Sequence, residues 1–204
     1  MSWKNYALGV IILLVSMGSA SAQITCHLGA QVGATIASTS ISDGTSSADG
    51  LSARSRSPDF GGHTGCDLRM TGTPFVVGGW AEYMWRDVAF KIDAGSSGIS
   101  AGFGNSWALG GRVGYKLDGG AMPYALLGYT KTDINAPAAA NLSSTLGGWM
   151  MGGGIEIPLS KSLSFAGEAR WVRYDSLSLG PKPTDPSANT DALSVVGRLN
   201  FNLN

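Results

Sequence analysis

The stretch Ile24-Thr25-Cys26-His27-Leu28-Gly29-Ala30-Gln31-Val32-Gly33-Ala34-Thr35-Ile36 decides the fold. Its even positions are apolar or Cys: Ile24, Cys26, Leu28, Ala30, Val32, Ala34 and Ile36. Its odd positions, Thr25, His27, Gly29, Gln31, Gly33 and Thr35, are polar or tiny. Successive side chains of an extended chain point to opposite sides, so this two-residue period predicts a strand between two unlike environments.

Six more segments repeat the pattern. In 59–70, Phe60, Gly62, Thr64, Cys66, Leu68 and Met70 oppose Asp59, His63, Asp67 and Arg69. In 75–85, Phe75, Val77, Ala81, Tyr83 and Trp85 oppose Trp80, Glu82 and Met84. Segment 106–117 sets Trp107, Leu109, Val113, Tyr115 and Leu117 against Arg112 and Lys116. Segment 145–157 sets Trp149, Met151, Ile155 and Ile157 against Met150 and Glu156. Leu163, Phe165, Ala169 and Trp171 oppose Glu168 and Arg170; Leu193, Val195, Leu199, Phe201 and Leu203 oppose Ser194, Arg198, Asn200 and Asn202. Segment 123–132 is strand-like too, but its alternation is too poor to orient it.

Alternation alone also suits a soluble sandwich, with its apolar faces turned inward. Three features favour lipid outside. The apolar faces carry no ionisable residue until Arg173 and Asp175 at the outer end of their segment; a lipid-facing Arg or Lys costs about 2–4 kcal/mol at the bilayer midplane. Aromatic residues mark both ends of those faces, Trp85, Trp107 and Trp171 near one rim and Phe75, Tyr115, Phe165 and Phe201 near the other, as interfacial girdles do. Connections alternate between tight (71–74, 118–122, 158–162) and long and polar (37–58, 86–105, 133–144, 175–191). The sequence therefore predicts an all-β fold, an eight-stranded antiparallel up-and-down transmembrane β-barrel, with the four long connections as extracellular loops.

A rival strand count runs the first loop to Gly72 and makes 88–94 a wall strand. In the preferred register Cys26 and Cys66 share one face and one rim of neighbouring strands, which allows a cross-strand disulfide; the rival separates them. Segment 88–94 then extends the second hairpin beyond the membrane. At the N-terminus, Lys4, an apolar run over 6–17 and Ala20-Ser21-Ala22 have the layout of a secretory signal peptide, expected to be cleaved after Ala22 to leave a barrel of residues 23–204. The apolar run is shorter than the roughly 20 residues of a membrane-spanning helix, and an exported chain meets oxidising conditions in which a disulfide persists. The chain holds 30 Gly, 14% charged residues and zero formal net charge. No basic patch suggests nucleic acid.

Gly148-Trp149-Met150-Met151-Gly152-Gly153-Gly154-Ile155-Glu156 resembles the G-W-x-x-G-x-G-x-E strand of small porin-family outer-membrane proteins, the eight-stranded barrels grouped with OmpA-like and opacity proteins. Leu109-Gly110-Gly111-Arg112-Val113-Gly114-Tyr115, Met122-Pro123-Tyr124, Gly65-Cys66-Asp67 and Ala166-Gly167-Glu168-Ala169-Arg170-Trp171 resemble further strands of that family, in order. The resemblance implies the bacterial outer membrane, contact with its lipid and lipopolysaccharide, and insertion by the barrel-assembly machinery. One departure is the ending Phe201-Asn202-Leu203-Asn204, where such barrels usually finish on an aromatic residue.

A barrel of eight strands encloses room for side chains or one small ligand. The expected interior holds His63, Asp67, Arg69, Glu82, Arg112, Lys116, Glu156, Glu168, Arg170 and Arg198 as an ion-paired plug. The alternatives are a narrow polar pore lined by Glu82, Arg112, Glu156, Glu168 and Arg170, and a soluble, lipocalin- or avidin-like ligand barrel. No nucleophile motif, metal-ligand cluster or phosphate loop appears, so neither an enzyme nor a cofactor is expected. His27 and His63 are expected in the interior network. The polar loops are the expected surface for adhesion or host interaction, with a partner the sequence does not name.

Overall fold

The computed structural model describes residues 22–42, 52–86, 88–94, 97–135, 144–178 and 187–203. Residues 1–21, which hold most of the expected signal peptide, lie outside them. The strands are β1 (Ala22–Ser42), β2 (Ser52–Met70), β3 (Phe75–Trp85), β4 (Val88–Ala94), β5 (Ser97–Tyr115), β6 (Met122–Asn135), β7 (Ser144–Pro158), β8 (Leu163–Tyr174), β9 (Leu177–Ser178) and β10 (Ser187–Leu203). Eight form the wall in the order β1-β2-β3-β5-β6-β7-β8-β10, and antiparallel pairing of β1 with β10 closes it. β4 pairs with the first half of β5 beyond Trp85, as the hairpin extension expected of 88–94, and β9 adds two residues beside β10.

Following hydrogen-bonded partners once round the wall, from His27 through Gly65, Trp80, Gly110, Gly128, Met150, Val172 and Ala192, returns to β1 at Ala37. The return point lies ten residues beyond the start, and this stagger sets the tilt of the strands about the axis. Burial alternates with a period of two along β8, whose inward residues include Glu168 and Arg170. On the outer side, Ile24 and Val32 are each 66% exposed and Phe60 is 61% exposed, while Arg170 is 2% and Glu168 3% exposed. A water-soluble barrel has the opposite polarity, with apolar groups inside; the lipocalin-like alternative is thereby excluded.

β6 shows why one segment resisted orientation. Its inward side chains are Tyr124, Leu126, Thr130 and Thr132, and Leu126 is an apolar residue on the polar side, facing Gly152 across the pairing with β7. Outward come Pro123, Ala125, Leu127 and Lys131, with Tyr129 half-buried on the same side.

The tight connections are where the sequence puts them. Gly72 (φ 82°) and Gly120 (φ 84°) supply the left-handed conformations that two of the turns need, and the Leu117 N–H donates to the Ala121 carbonyl at 2.8 Å across the second. The long connections are shorter than 37–58, 86–105, 133–144 and 175–191. β1 pairs with β2 as far as Ser40↔Ser52, β5 begins at Ser97, β6 runs to Asn135, and β10 begins at Ser187. Beyond the bilayer both faces of a strand meet water, so the apolar alternation stops while backbone pairing continues. The loop cores 43–51, 136–143 and 179–186 lie outside the described residues.

Cys26 and Cys66 are directly opposed on β1 and β2 and form a disulfide, as the register predicted. It ties the turn end of β1, whose other edge pairs with β10. Cys66→Ser is expected to lower stability by about 2 kcal/mol, the lower end of the usual range because both strands stay paired. Urea unfolding of refolded protein, with and without reductant, measures it. Wild type under reductant should match the variant.

Candidate functional site

The interior is a polar lattice to which every wall strand contributes. β1 supplies Gln31, β2 His63 and Asp67, β3 Glu82, β5 Arg112, β6 Tyr124, β7 Glu156, β8 Glu168 and Arg170, and β10 Arg198 and Asn200. At its centre Arg170 donates to both Glu82 and Glu168, 2.8 Å from Glu82 Oε1 and 2.6 Å from Glu168 Oε2. Arg198 also pairs with Glu82 and lies 3.3 Å from Glu168 Oε1. The Tyr124 hydroxyl donates to Glu168 and the Gln31 amide to Glu82. Trp80 lies against both guanidiniums, 5.7 Å from that of Arg170 and 5.5 Å from that of Arg198. An indole face is attractive to a desolvated cation.

Toward the turn end a second cluster forms round Arg112, which donates through Nε to Asp67 Oδ1 at 2.9 Å and through Nη1 to Glu156 Oε2 at 3.0 Å. The Ser164 hydroxyl donates to Glu156 and accepts from Asn200, which meets His63 Nε2 at 2.7 Å. His27 stands 4.0 Å from Asp67. Toward the loop end Asp59 is held by Thr35 and lies 3.2 Å from Arg86. Arg86, in the connection after β3, was missed by the sequence reading because no alternation places it; only its position beyond an inward acid on the neighbouring strand could have.

The space for these long side chains comes from glycine. A Cβ at Gly110 would lie 2.9 Å from Trp80 Cζ2, and one at Gly128 3.0 Å from the same atom. The indole edge therefore occupies space that β5 and β6 leave open at Gly110 and Gly128. His27 and His63 lie in the same way over Gly65 and Gly29.

The family described as "Outer membrane protein beta-barrel domain" matches residues 10–201. The chain belongs to that family. Its place is the bacterial outer membrane. Among solved structures, the barrel is similar to the outer membrane protein OprG of Pseudomonas aeruginosa, at 15% identity, covering 88% of this chain and 96% of that one with a TM-score of 0.49. It is similar also to Neisserial surface protein A (15% identity, 84% and 96% covered, TM-score 0.42). A third is Ail, the attachment invasion locus protein of Yersinia pestis, at 12% identity, with 85% and 98% covered and a TM-score of 0.39. No curated protein matches the chain.

Of the ten residues expected inside the outer-membrane barrel, eight are there: His63, Asp67, Glu82, Arg112, Glu156, Glu168, Arg170 and Arg198. Arg69 and Lys116 are not. Both are exposed at the turn-end mouth. Asp67 and Glu156, the acids that reach this depth, are already shared by Arg112, so nothing draws the two outer cations in. The aromatic residues gather at two ends. Phe75 and Tyr115 pack edge to face at 5.4 Å beside one turn. At the other end Trp85 contacts Tyr83 at 5.2 Å and Phe60 at 5.7 Å, and Trp149 contacts Tyr129. Trp107 is paired with Tyr83, Trp171 with Met151, and Phe165 and Phe201 lie beside Ile157 and Leu163 on the turn side. Phe60, Tyr83, Tyr129 and Trp149 thus join the loop-end set.

Among the described residues no group of three or more His, Cys, Asp or Glu is arranged to hold a metal ion. Among the described residues the interior carboxylates Asp59, Asp67, Glu82, Glu156 and Glu168 are each engaged by an arginine, which neutralises their charge.

Proposed function

We propose that the protein is a structural barrel of the outer-membrane surface, closed by its ion-paired interior, neither conducting nor catalytic. The observation that carries this is the Arg170–Glu82–Arg198–Glu168 ring under Trp80, which crosses the lumen at mid-wall. An ion moving through would have to part charges that sit in a low-dielectric interior, where separation is costly. Reconstituted into planar bilayers, the full chain is expected to give no reproducible single-channel openings. Steady openings with ohmic conductance would replace the plug with the narrow pore.

A role for the loop end in surface contact has its own support. β1 and β10 stay paired out to Ser42↔Ser187, well past the outward-facing Ile36↔Leu193 pair. There Thr39 and Thr190 bond at 3.0 Å. The paired wall therefore extends beyond its outward-facing apolar band at this end. Removal of 43–51 and 179–186 together is expected to abolish binding of whole cells to host surfaces while the barrel still folds; unchanged binding would end the adhesion reading.

A further inference from the structure

Each of the three tight turns brings one cation to the same opening. Arg69 precedes the β2–β3 turn, Lys116 precedes the β5–β6 turn, and Lys161 sits in the β7–β8 turn, and all three line one cavity of about 330 Å3 at the turn-end mouth. Each is exposed, and none of them makes an ion pair among the described residues. The floor is lined by Asp67 and Glu156, whose charges are taken up by Arg112, a side chain only 4% exposed that does not itself line the cavity. Asp118 lies on a flanking cleft shared with Arg69 and Lys116. With it counted, the mouth holds four cations against three carboxylates, and two of those carboxylates are already paired with Arg112.

We propose that this mouth is a binding site for a small multiply charged anion, grasped by Arg69, Lys116 and Lys161 above floor carboxylates that Arg112 neutralises. In barrels of this class the short turns face the periplasm, so the anion would come from that compartment and not from the bilayer, which the concave mouth does not face. The chemistry suits oxyanions. An arginine fork takes two oxygens of one phosphate or carboxylate, while lysines approach as mobile point charges from other directions. The cavity volume lies at the lower end of ligand pockets, large enough for a pyrophosphate or tricarboxylate and too small for a folded domain.

The test uses the refolded full chain in detergent micelles at low ionic strength. Amide shifts and heats are followed while inorganic pyrophosphate, inorganic phosphate or citrate is added. Saturable one-to-one binding is expected, with shifts confined to residues near 69–74, 116–121 and 159–162. Tighter binding of pyrophosphate than of citrate would identify a phosphate-bearing ligand; the reverse order would identify a polycarboxylate. The pair Arg69→Gln with Lys161→Gln is expected to weaken binding by roughly tenfold or more, since each removes a charge-assisted contact. Its folded state is checked by the same heat-dependent gel shift as wild type. Arg56→Gln removes an exposed cation near the opposite rim and is expected to change nothing. Equal weakening by Arg56→Gln, equal binding of chloride, or no saturable shift would overturn the site.

Discussion

Arg170→Ala is expected to destabilise the folded barrel by about 3–5 kcal/mol, the range for removing one partner from a buried ion pair. Arg170 stands between two carboxylates whose side chains are 3% and 0% exposed, and its own is 2% exposed. Without it Glu82 and Glu168 share only Arg198, and two desolvated negative charges face each other across the lumen. Arg170→Lys should recover part of the loss, because a single ammonium cannot fork across both acids. Exchanging the whole ring for apolar residues of similar volume should cost less than the single deletion, since no charge is then left alone. Urea titration of the protein in lipid vesicles, followed by tryptophan fluorescence, reads all three. A loss below about 1 kcal/mol for Arg170→Ala would place the ring among weak, hydrated ion pairs and would remove the support for a closed plug.

The two sides of the wall were legible to different degrees. The bilayer tolerates almost no polarity at its midplane, so the outward faces of seven wall strands declared themselves, and Ile24, Val32, Phe60, Leu109 and Val195 all stand where period two put them. The inward face obeys no such rule. It holds arginine and leucine alike provided volumes and charges close, and for that reason β6, with Leu126 inside, gave no orientation. Depth was the weakest part of the reading. Alternation assigns Arg69 and Lys116 to the inward side correctly but is blind to whether a position is mid-wall or mouth, and only the pairing of Asp67 and Glu156 with Arg112 decides that. Strand ends were missed for a related reason, since outside the hydrocarbon the signal that marks a strand has no cause. The cysteine pairing was recoverable because it depends on register alone, which the inward and outward sets fix.

Gly110→Val should abolish the folded form, or cost about 3 kcal/mol where folding survives, the upper end for an overfilled core. Gly111→Val, one residue on, should change little. Gly110 faces inward between Trp80 on β3 and Gly128 on β6. A Cβ there would lie 2.3 Å from the Leu127 carbonyl oxygen, 2.7 Å from Gly128 Cα and 2.9 Å from Trp80 Cζ2. Two of those atoms are backbone of the paired strand and can withdraw only by opening the β5–β6 ladder. The third belongs to an indole that lies against two arginines. At Gly111, by contrast, the nearest atom to a new Cβ is the Gly78 carbonyl oxygen at 3.7 Å, an ordinary contact on the lipid side, where a valine also adds apolar surface. The heat-dependent gel shift after refolding into vesicles distinguishes the pair. If Gly110→Val folds as well as Gly111→Val, the lumen has slack at Trp80, and the indole is not the close-packed crosspiece that the inward glycines make room for.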